Sequence, residues 1–196
     1  MNPKKIDSVR IISISGSIAS GSTTLAKRLS EKIGWKYIEG GEIFWEAVRK
    51  KMHLGSKDTA LRPDNEDILF DQQLKKTLKE ERNHIIQSHL AGFNAQGIKG
   101  VYKILVVCVD EDGKDQTQIR IDRLVNREGI SVEKAKEEII EREESDLKKW
   151  QKLYGDNDPS WTHLDEKYYD LVVNTYQSDR ESTLKKTLET LSSLKH

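Results

Sequence analysis

The sequence predicts a three-layer α/β fold: one parallel five-stranded sheet with helices packed on both faces. Three observations carry this prediction. Five short runs are apolar throughout instead of alternating, the pattern of strands buried on both sides. Helical stretches separate consecutive runs, and parallel strands need such crossovers because a tight hairpin cannot join them. The first run also ends in a Gly- and Ser-rich turn that leads straight into an amphipathic helix.

Taken along the chain, residues 9–15 (VRIISIS) form the first strand, a β-branched run ending at Gly16. After the turn, Leu25, Ala26, Leu29 and Ile33 recur at helical spacing, and Gly34 stands where a left-handed C-cap is wanted. Residues 35–38 read as the second strand, 83–88 (NHIIQS) as the third, 102–109 (YKILVVCV) as the fourth and 170–174 (DLVVN) as the fifth. Between the second and third, residues 41–82 are too long for a connection. They are helical in pattern with one break around Arg62 and Pro63, and read as a small helical insertion. Residues 111–118 are a polar loop. Ser131 can cap a long helix running to Tyr154, with Glu133 in its first turn. Val132, Ala135, Ile139, Leu147, Trp150 and Tyr154 face the body from that helix, but residues 141–146 (EREESD) interrupt them with a polar block. A helix short of apolar area for permanent docking can swing, as an active-site cover does. The last helix, near 179–194, shows a capping box at Ser178 and Glu181 and a stripe of Leu184, Leu188 and Leu191.

Composition narrows the function. Lysine plus arginine and aspartate plus glutamate both number 33, so the net charge of zero supplies no field to recruit nucleic acid or anionic lipid. Charged residues make up 34% of the chain but the two signs intermix, as on ion-paired helix faces. The single cysteine, Cys108, excludes an internal disulfide and a cysteine-rich zinc site, and its apolar run reads as a buried thiol. Residues 1–10 lack a signal-peptide core and no segment has about 18 consecutive apolar residues. The expectation is one cytoplasmic domain over 1–196, monomer or homodimer, without membrane or nucleic-acid partners.

Residues 16–23 (GSIASGST) fit the phosphate-loop frame G-x-x-x-x-G-K-[ST] at every defined position except the lysine, which is Ser22. With a buried strand before it and a helix after it, the loop turns successive backbone N–H groups and a helix N-terminus toward one point that suits an anion. Thr23 places its hydroxyl where Mg²⁺ is held in such loops, with Thr24 beside it. Losing the lysine removes a charged donor worth roughly 10² to 10³ in rate, so either another cation substitutes or the enzyme is slow.

Four segments resemble the nucleoside monophosphate kinases, and within them the cytidylate kinase-like proteins of archaea and some bacteria. They are SGSIASGSTT, EGGEIFWEA, NREGISVEKAKEEIIEREESDLKKWQKLYG and YYDLVVNT, and the resemblance spans 11–175. The third is the most specific, since it matches the lid pattern of that group. The resemblance implies a P-loop NTPase fold that transfers the γ-phosphoryl of ATP to CMP or dCMP with Mg²⁺. It implies an acceptor-binding insertion over about 41–82 and a helical lid over about 120–160. Carried over by residue, it implies ATP phosphates on Gly16, Ser17, Ala19, Ser20, Gly21, Ser22, Thr23 and Thr24, with Thr23 near the metal. Arg123, Arg127 and Arg142 then reach in from the lid or its flanks, with Arg120 a further candidate. The residues themselves agree in part: Arg142 and Asp146 are i and i+4, so the carboxylate can hold the guanidinium, and Lys149 follows on the same face. The alternative for these arginines is ordinary surface ion pairing.

The departures from the resemblance fall on the acceptor side. Where relatives commonly end the third strand with an acid followed by Gly-Arg-Leu-Ala, this chain reads Gln87-Ser88-His89-Leu90-Ala91-Gly92. The acid would order Mg²⁺ waters and the arginine would hold substrate phosphate. Trp45 likewise follows Phe44 where an arginine is frequent. His89, Trp45, Gln87 and Gly92 are therefore the acceptor-side candidates. His89 stands at the mouth where ligands bind open α/β sheets, against the alternative of a half-buried histidine satisfied by a carbonyl. Asp71 and Lys79 are expected on a solvated helix surface. Two other functions stay open: a nucleotide-binding regulator without turnover, and a kinase of a different small acceptor.

Overall fold

The computed structural model describes residues 4–40 and 63–194. Five strands, β1 (Ile11–Gly16), β2 (Lys36–Glu39), β3 (His84–Gln87), β4 (Val101–Val107) and β5 (Leu171–Asn174), form one sheet in the order β2-β3-β1-β4-β5. Every pairing is parallel. The five predicted strands are all present, with ends shifted by up to two residues.

The sheet is buried on both faces, which is why its strands carry no alternation. Ile12 and Ile14 of β1 point to the side covered by α1 (Ser22–Ile33) and by the C-terminal helix, meeting Leu25, Leu29, Leu184 and Leu191. Ile11 points to the other side, toward Leu74 and Leu78 of α2 (Asp64–Glu80). Gly34 ends α1 in the left-handed conformation, φ 72°, with its N–H on the Ser30 carbonyl, as the sequence requires. Pro63 precedes α2, the position of the predicted break, and its fixed φ suits a helix start. Residues 41–62 lie outside the described residues.

After β3 comes the single turn α3 (Ala91–Asn94), then β4 and α4 (Thr117–Glu128). The predicted long helix follows as α5 (Val132–Lys136), a π-helical stretch Glu137–Arg142 and α6 (Glu143–Tyr154); together these are called the lid helix below. Ser131 caps it, accepting from the Lys134 amide. A π-turn widens the helix where functional side chains must be re-aimed, and here it immediately precedes Glu143. Residues 141–146, read as a polar block that leaves the helix short of apolar area for permanent docking, turn two of their charges inward. Glu143 turns inward and Asp146 is 6% exposed, so charge pairing fastens the helix where apolar area is short. The cap of the last helix, α7 (Arg180–Ser193), is also corrected: Asp179 accepts from the Ser182 amide, while Glu181 reaches across to Arg28. The hydrophobic base of the lid is a separate cluster, Ile121, Leu124, Ala135 and Ile139, packed against Ile18 and Ala19 of the phosphate loop. Among the described residues, no helix is long and apolar enough to cross a membrane.

Candidate active site

The loop after β1 has the geometry of a phosphate cradle. A Cβ on Gly16 would lie 2.5 Å from the Val106 carbonyl oxygen and 2.6 Å from Ser20 Oγ, so only glycine fits between the strands. Ala19 (φ 59°) and Gly21 (φ 106°) take left-handed conformations that reverse the chain into α1. The N-terminus of α1 carries no side-chain cap and no acidic residue in its first turn. Its first amides and positive dipole end are thus left to an external anion.

Thr175, just beyond β5, fixes the outer wall of the cradle. Its hydroxyl donates to the Ser20 carbonyl at 2.6 Å, and Arg123 donates to the same Thr175 hydroxyl at 2.9 Å and to its carbonyl at 2.7 Å. Arg123 is therefore a strut under the cradle. Gln87 comes to the inner wall: its Nε2 meets Ser22 Oγ and its Oε1 meets Thr23 Oγ1, both at 3.4 Å. The end of β3 thus faces the start of α1. Thr23 and Gln87 offer neutral oxygens and no carboxylate. Such a set fits a hard Mg²⁺ delivered on phosphates and keeping its waters. Among the described residues, no group of three or more histidine, cysteine or acidic side chains could hold a metal by itself.

Arg120, 4% exposed, is a cation in direct contact with the cradle, and the sequence places it only as a further candidate. It donates to the Ile18 carbonyl at 2.9 Å, to Glu143 at 3.0 Å and to Asp115 at 3.0 Å. Glu143 in turn accepts from the Ile18 amide. Burial works against the guanidinium charge, but the two carboxylates outweigh it and raise its pKa. Burial pushes the Glu143 carboxyl upward, opposed by Arg120 and the Ile18 amide. Lid helix and phosphate loop are thereby latched by a buried ion pair. Arg142 donates to Glu138 at 2.6 Å, and its Nε lies 3.7 Å from Asp146, the partner read from their spacing. Arg127, in the last turn of α4, donates to neighbouring Glu128 and is half exposed; the structure does not bring it to this cluster. Lys149 and Lys152 tie the lid helix to Asp67 and Asp64 of α2.

Between the cradle and the lid helix lies a cavity of about 320 Å³, bounded by Ser17, Arg120, Asp146, Trp150, His89 and His163 among others. His89 is thus at the cleft, as its place after β3 predicts, with its ring 5.9 Å from Trp150. Gly92 serves packing: a Cβ there would lie 2.2 Å from the Tyr169 ring, and its amide donates to Ser15 Oγ. Trp45 lies outside the described residues.

A family model described as the cytidylate kinase-like family matches residues 11–177. The chain belongs to this family. Cytidylate kinases of Methanopyrus kandleri and Sulfurisphaera tokodaii are 34% and 35% identical to it, over 88% and 84% of this chain and 88% and 86% of theirs. A shikimate kinase from Bacteroides thetaiotaomicron shares the fold, with a TM-score of 0.57 at 15% identity over 93% of this chain and 98% of that one. The chain is thus a P-loop kinase of the cytidylate kinase-like family.

Several residues of this family member's site escaped the sequence reading. Asp71, expected in solvent, is buried and accepts from Asn94 at 2.8 Å and from the Tyr154 hydroxyl. Burial above all lifts its carboxyl to about 6, against those two donors. Lys79 is exposed, as expected. Glu143 was hidden inside a polar block. His163 lies in a stretch with no periodicity; the only signal near it is the density of aromatics at Tyr154, Trp161, Tyr168 and Tyr169.

Proposed function

We propose that this kinase transfers the γ-phosphoryl of ATP to a nucleoside monophosphate, CMP or dCMP, giving the diphosphate. One observation carries the reading: an uncapped α1 N-terminus in a glycine-shaped cradle opens onto a lid-covered cavity of ligand size. The kinship with cytidylate kinases supports the choice of acceptor.

In this reading the amides between Ser17 and Thr24 that the fold leaves open hold the ATP phosphates, those of Ile18 and Ser20 being given to Glu143 and to the Ser17 carbonyl, and Gly16 and Gly21 give the backbone its close approach. Thr23, with the Gln87 oxygen near, would hold Mg²⁺, which would supply charge neutralisation at the phosphates. Arg120 takes over the electrostatic task of the missing lysine, because its guanidinium already touches the loop at Ile18. Arg142, steadied by Asp146, is the second lid cation, and Arg123 braces the cradle through Thr175. The latch between Glu143 and Ile18 closes the lid over the cavity and excludes water. The acceptor phosphate lies toward His89 and Ser17, in line with the cradle.

The test is a coupled ADP-release assay with ATP, Mg²⁺ and a panel of monophosphates. CMP and dCMP should stimulate turnover most. A second reading, a nucleotide-binding regulator without turnover, is favoured by the neutral pair of Ser22 and Gln87 in place of a lysine and an acid. It prevails if ATP binds and no monophosphate raises turnover above the blank.

A further inference from the structure

The cavity under the lid is lined by a buried imidazole that the chemistry above does not use. His163 is 6% exposed and lines the cavity, yet neither of its ring nitrogens has a hydrogen-bond partner among the described residues. Leaving two buried polar atoms unpaired is unfavourable, and a native fold tolerates it where something else supplies the partner. The ring is not loosely placed. It packs edge-on against Trp150 with centroids 4.7 Å apart, and lies 6.5 Å from His89 and 6.4 Å from Trp161. Its backbone is pinned by the Tyr169 hydroxyl, which donates to the His163 carbonyl at 2.7 Å, and Tyr169 is itself wedged over Gly92. A fixed imidazole with open valences beside an indole is the arrangement of a recognition site.

We propose that His163 reads the uncharged half of the acceptor, hydrogen-bonding the edge of a pyrimidine base that lies against Trp150. This deepens the proposed acceptor and rests on that reading. The two ends of the cavity divide the labour. Ser17 and Arg120 at the cradle are suited to phosphate, whereas Trp150 and His163 offer an aromatic wall and a donor–acceptor ring. Burial, with His89 near, lowers the His163 pKa to about 3. The ring is therefore neutral at physiological pH and presents one N–H donor and one lone pair. It is suited to an amide or amino-imine edge rather than to an anion. A site built to pair with such a group rejects ligands that leave it unpaired.

The experiment is calorimetric titration of CMP, UMP and AMP into the full-length protein, wild type and His163→Phe, with melting temperature measured in parallel. Phenylalanine keeps the packing against Trp150 and removes both nitrogens. The expected result is a CMP Kd raised roughly tenfold, ATP affinity within about twofold of wild type, and an apo melting temperature unchanged or higher. His163→Gln, which keeps a donor and an acceptor, should recover part of the CMP affinity. Should the phenylalanine variant fail to fold, imidazole ¹⁵N shifts of the wild type are followed through the CMP titration; a new hydrogen bond must move the His163 signals. Equal CMP affinity in wild type and His163→Phe, or His163 shifts that stay put at saturation, overturns the assignment and leaves the acceptor reading intact. A wild type that binds none of the three monophosphates overturns both. Binding lost in the variant by a protein that never turns over supports His163 and overturns only the kinase chemistry.

Discussion

The two ends of the cavity under the lid are built on opposite principles. At the cradle, the recognition proposed here is by backbone: conformations set by Gly16, Ala19 and Gly21, an uncapped helix end, and charges that already pair with one another. Arg120, Glu143, Asp115 and the Ile18 amide and carbonyl are joined to one another by hydrogen bonds. At the other end, the proposed recognition is by side chains on loops and on the lid helix, and among the described residues the two ring nitrogens of His163 have no hydrogen-bond partner. The cradle suits any nucleoside triphosphate because a backbone nest sees only phosphate. The aromatic end is where two members of one family can differ in what they accept.

The strongest way to break this contrast is at Gly16. The Cβ of Gly16→Ala has backbone 2.5 Å away, and the Val106 carbonyl cannot yield without disturbing β4. ATP affinity should fall by more than about a hundredfold, the scale of losing several phosphate contacts at once, while isolated nucleoside binding at the aromatic end survives. Equilibrium titration with ATP and with cytidine checks both halves. Retained ATP affinity would place the triphosphate elsewhere.

Next in size is the latch. Arg120→Met removes a cation in direct contact with the cradle and leaves Glu143 buried beside the Ile18 amide. Removing a transition-state donor costs roughly 10² to 10³ in kcat, and stranding a buried carboxylate costs about 3 kcal/mol of stability. The double variant with Glu143→Gln should recover most of the stability and none of the rate. Stopped-flow phosphoryl transfer and thermal melting separate the two effects; joint recovery would mean that Arg120 is only a structural partner. Smaller again is Lys149→Ala, which unties the lid helix from Asp67 and leaves Lys152 on Asp64. KM for the acceptor should rise a few-fold, about the value of one partly buried pair, with kcat nearly unchanged.

The same contrast explains what could be read without coordinates. The strands, the order of elements and the phosphate loop were legible because burial on both faces and a glycine frame leave periodic or fixed-spacing marks. Gly34 and Ser131 were legible as caps for the same local reason. The lid was legible as a helix but not as a docked one, because Glu143 gains its partners from residues 18, 115 and 120, far off in sequence. Asp71 misled for the same reason: its donors sit at 94 and 154, and a helix pattern cannot show that a second helix will cover it. Gln87 stood at the expected strand end, yet only the sheet order, with β3 beside β1, turns it toward Ser22 and Thr23. His163 left no pattern at all, since loop residues held by one distant tyrosine have no period.

The subtlest consequence is a pH profile that hides two opposed titrations. Asp71 on the insertion side of the lid is held near 6 by burial, with Asp67 pushing the same way and Tyr154, Asn94 and Lys75 opposing. An unfolded aspartate titrates near 3.9, so between about pH 4 and 6 the folded protein keeps a proton that the unfolded chain has lost. Stability from this group is complete below about pH 4 and is lost as pH rises through 6, with a slope near 1.4 kcal/mol per pH unit. His163 runs the other way. It titrates at about 3 in the fold, lowered by burial and by His89, against about 6.5 unfolded. Over the same window the unfolded chain carries the extra proton, and stability rises with pH. The two slopes cancel from about pH 4 to 6. His163→Phe should therefore uncover a fall of about 2 kcal/mol across that window relative to wild type, and Asp71→Asn a rise of similar size. The double variant should again run parallel to wild type, because Asp71 lies outside the cavity lining and its hydrogen-bond partners, Asn94 and Tyr154, are not those of His163. Urea melts at half-unit pH intervals measure all four. If the single variants run parallel to wild type from pH 4 to 6, the buried ring and the buried carboxyl exchange protons no differently folded than unfolded, and the neutral character assigned to the aromatic end falls with them.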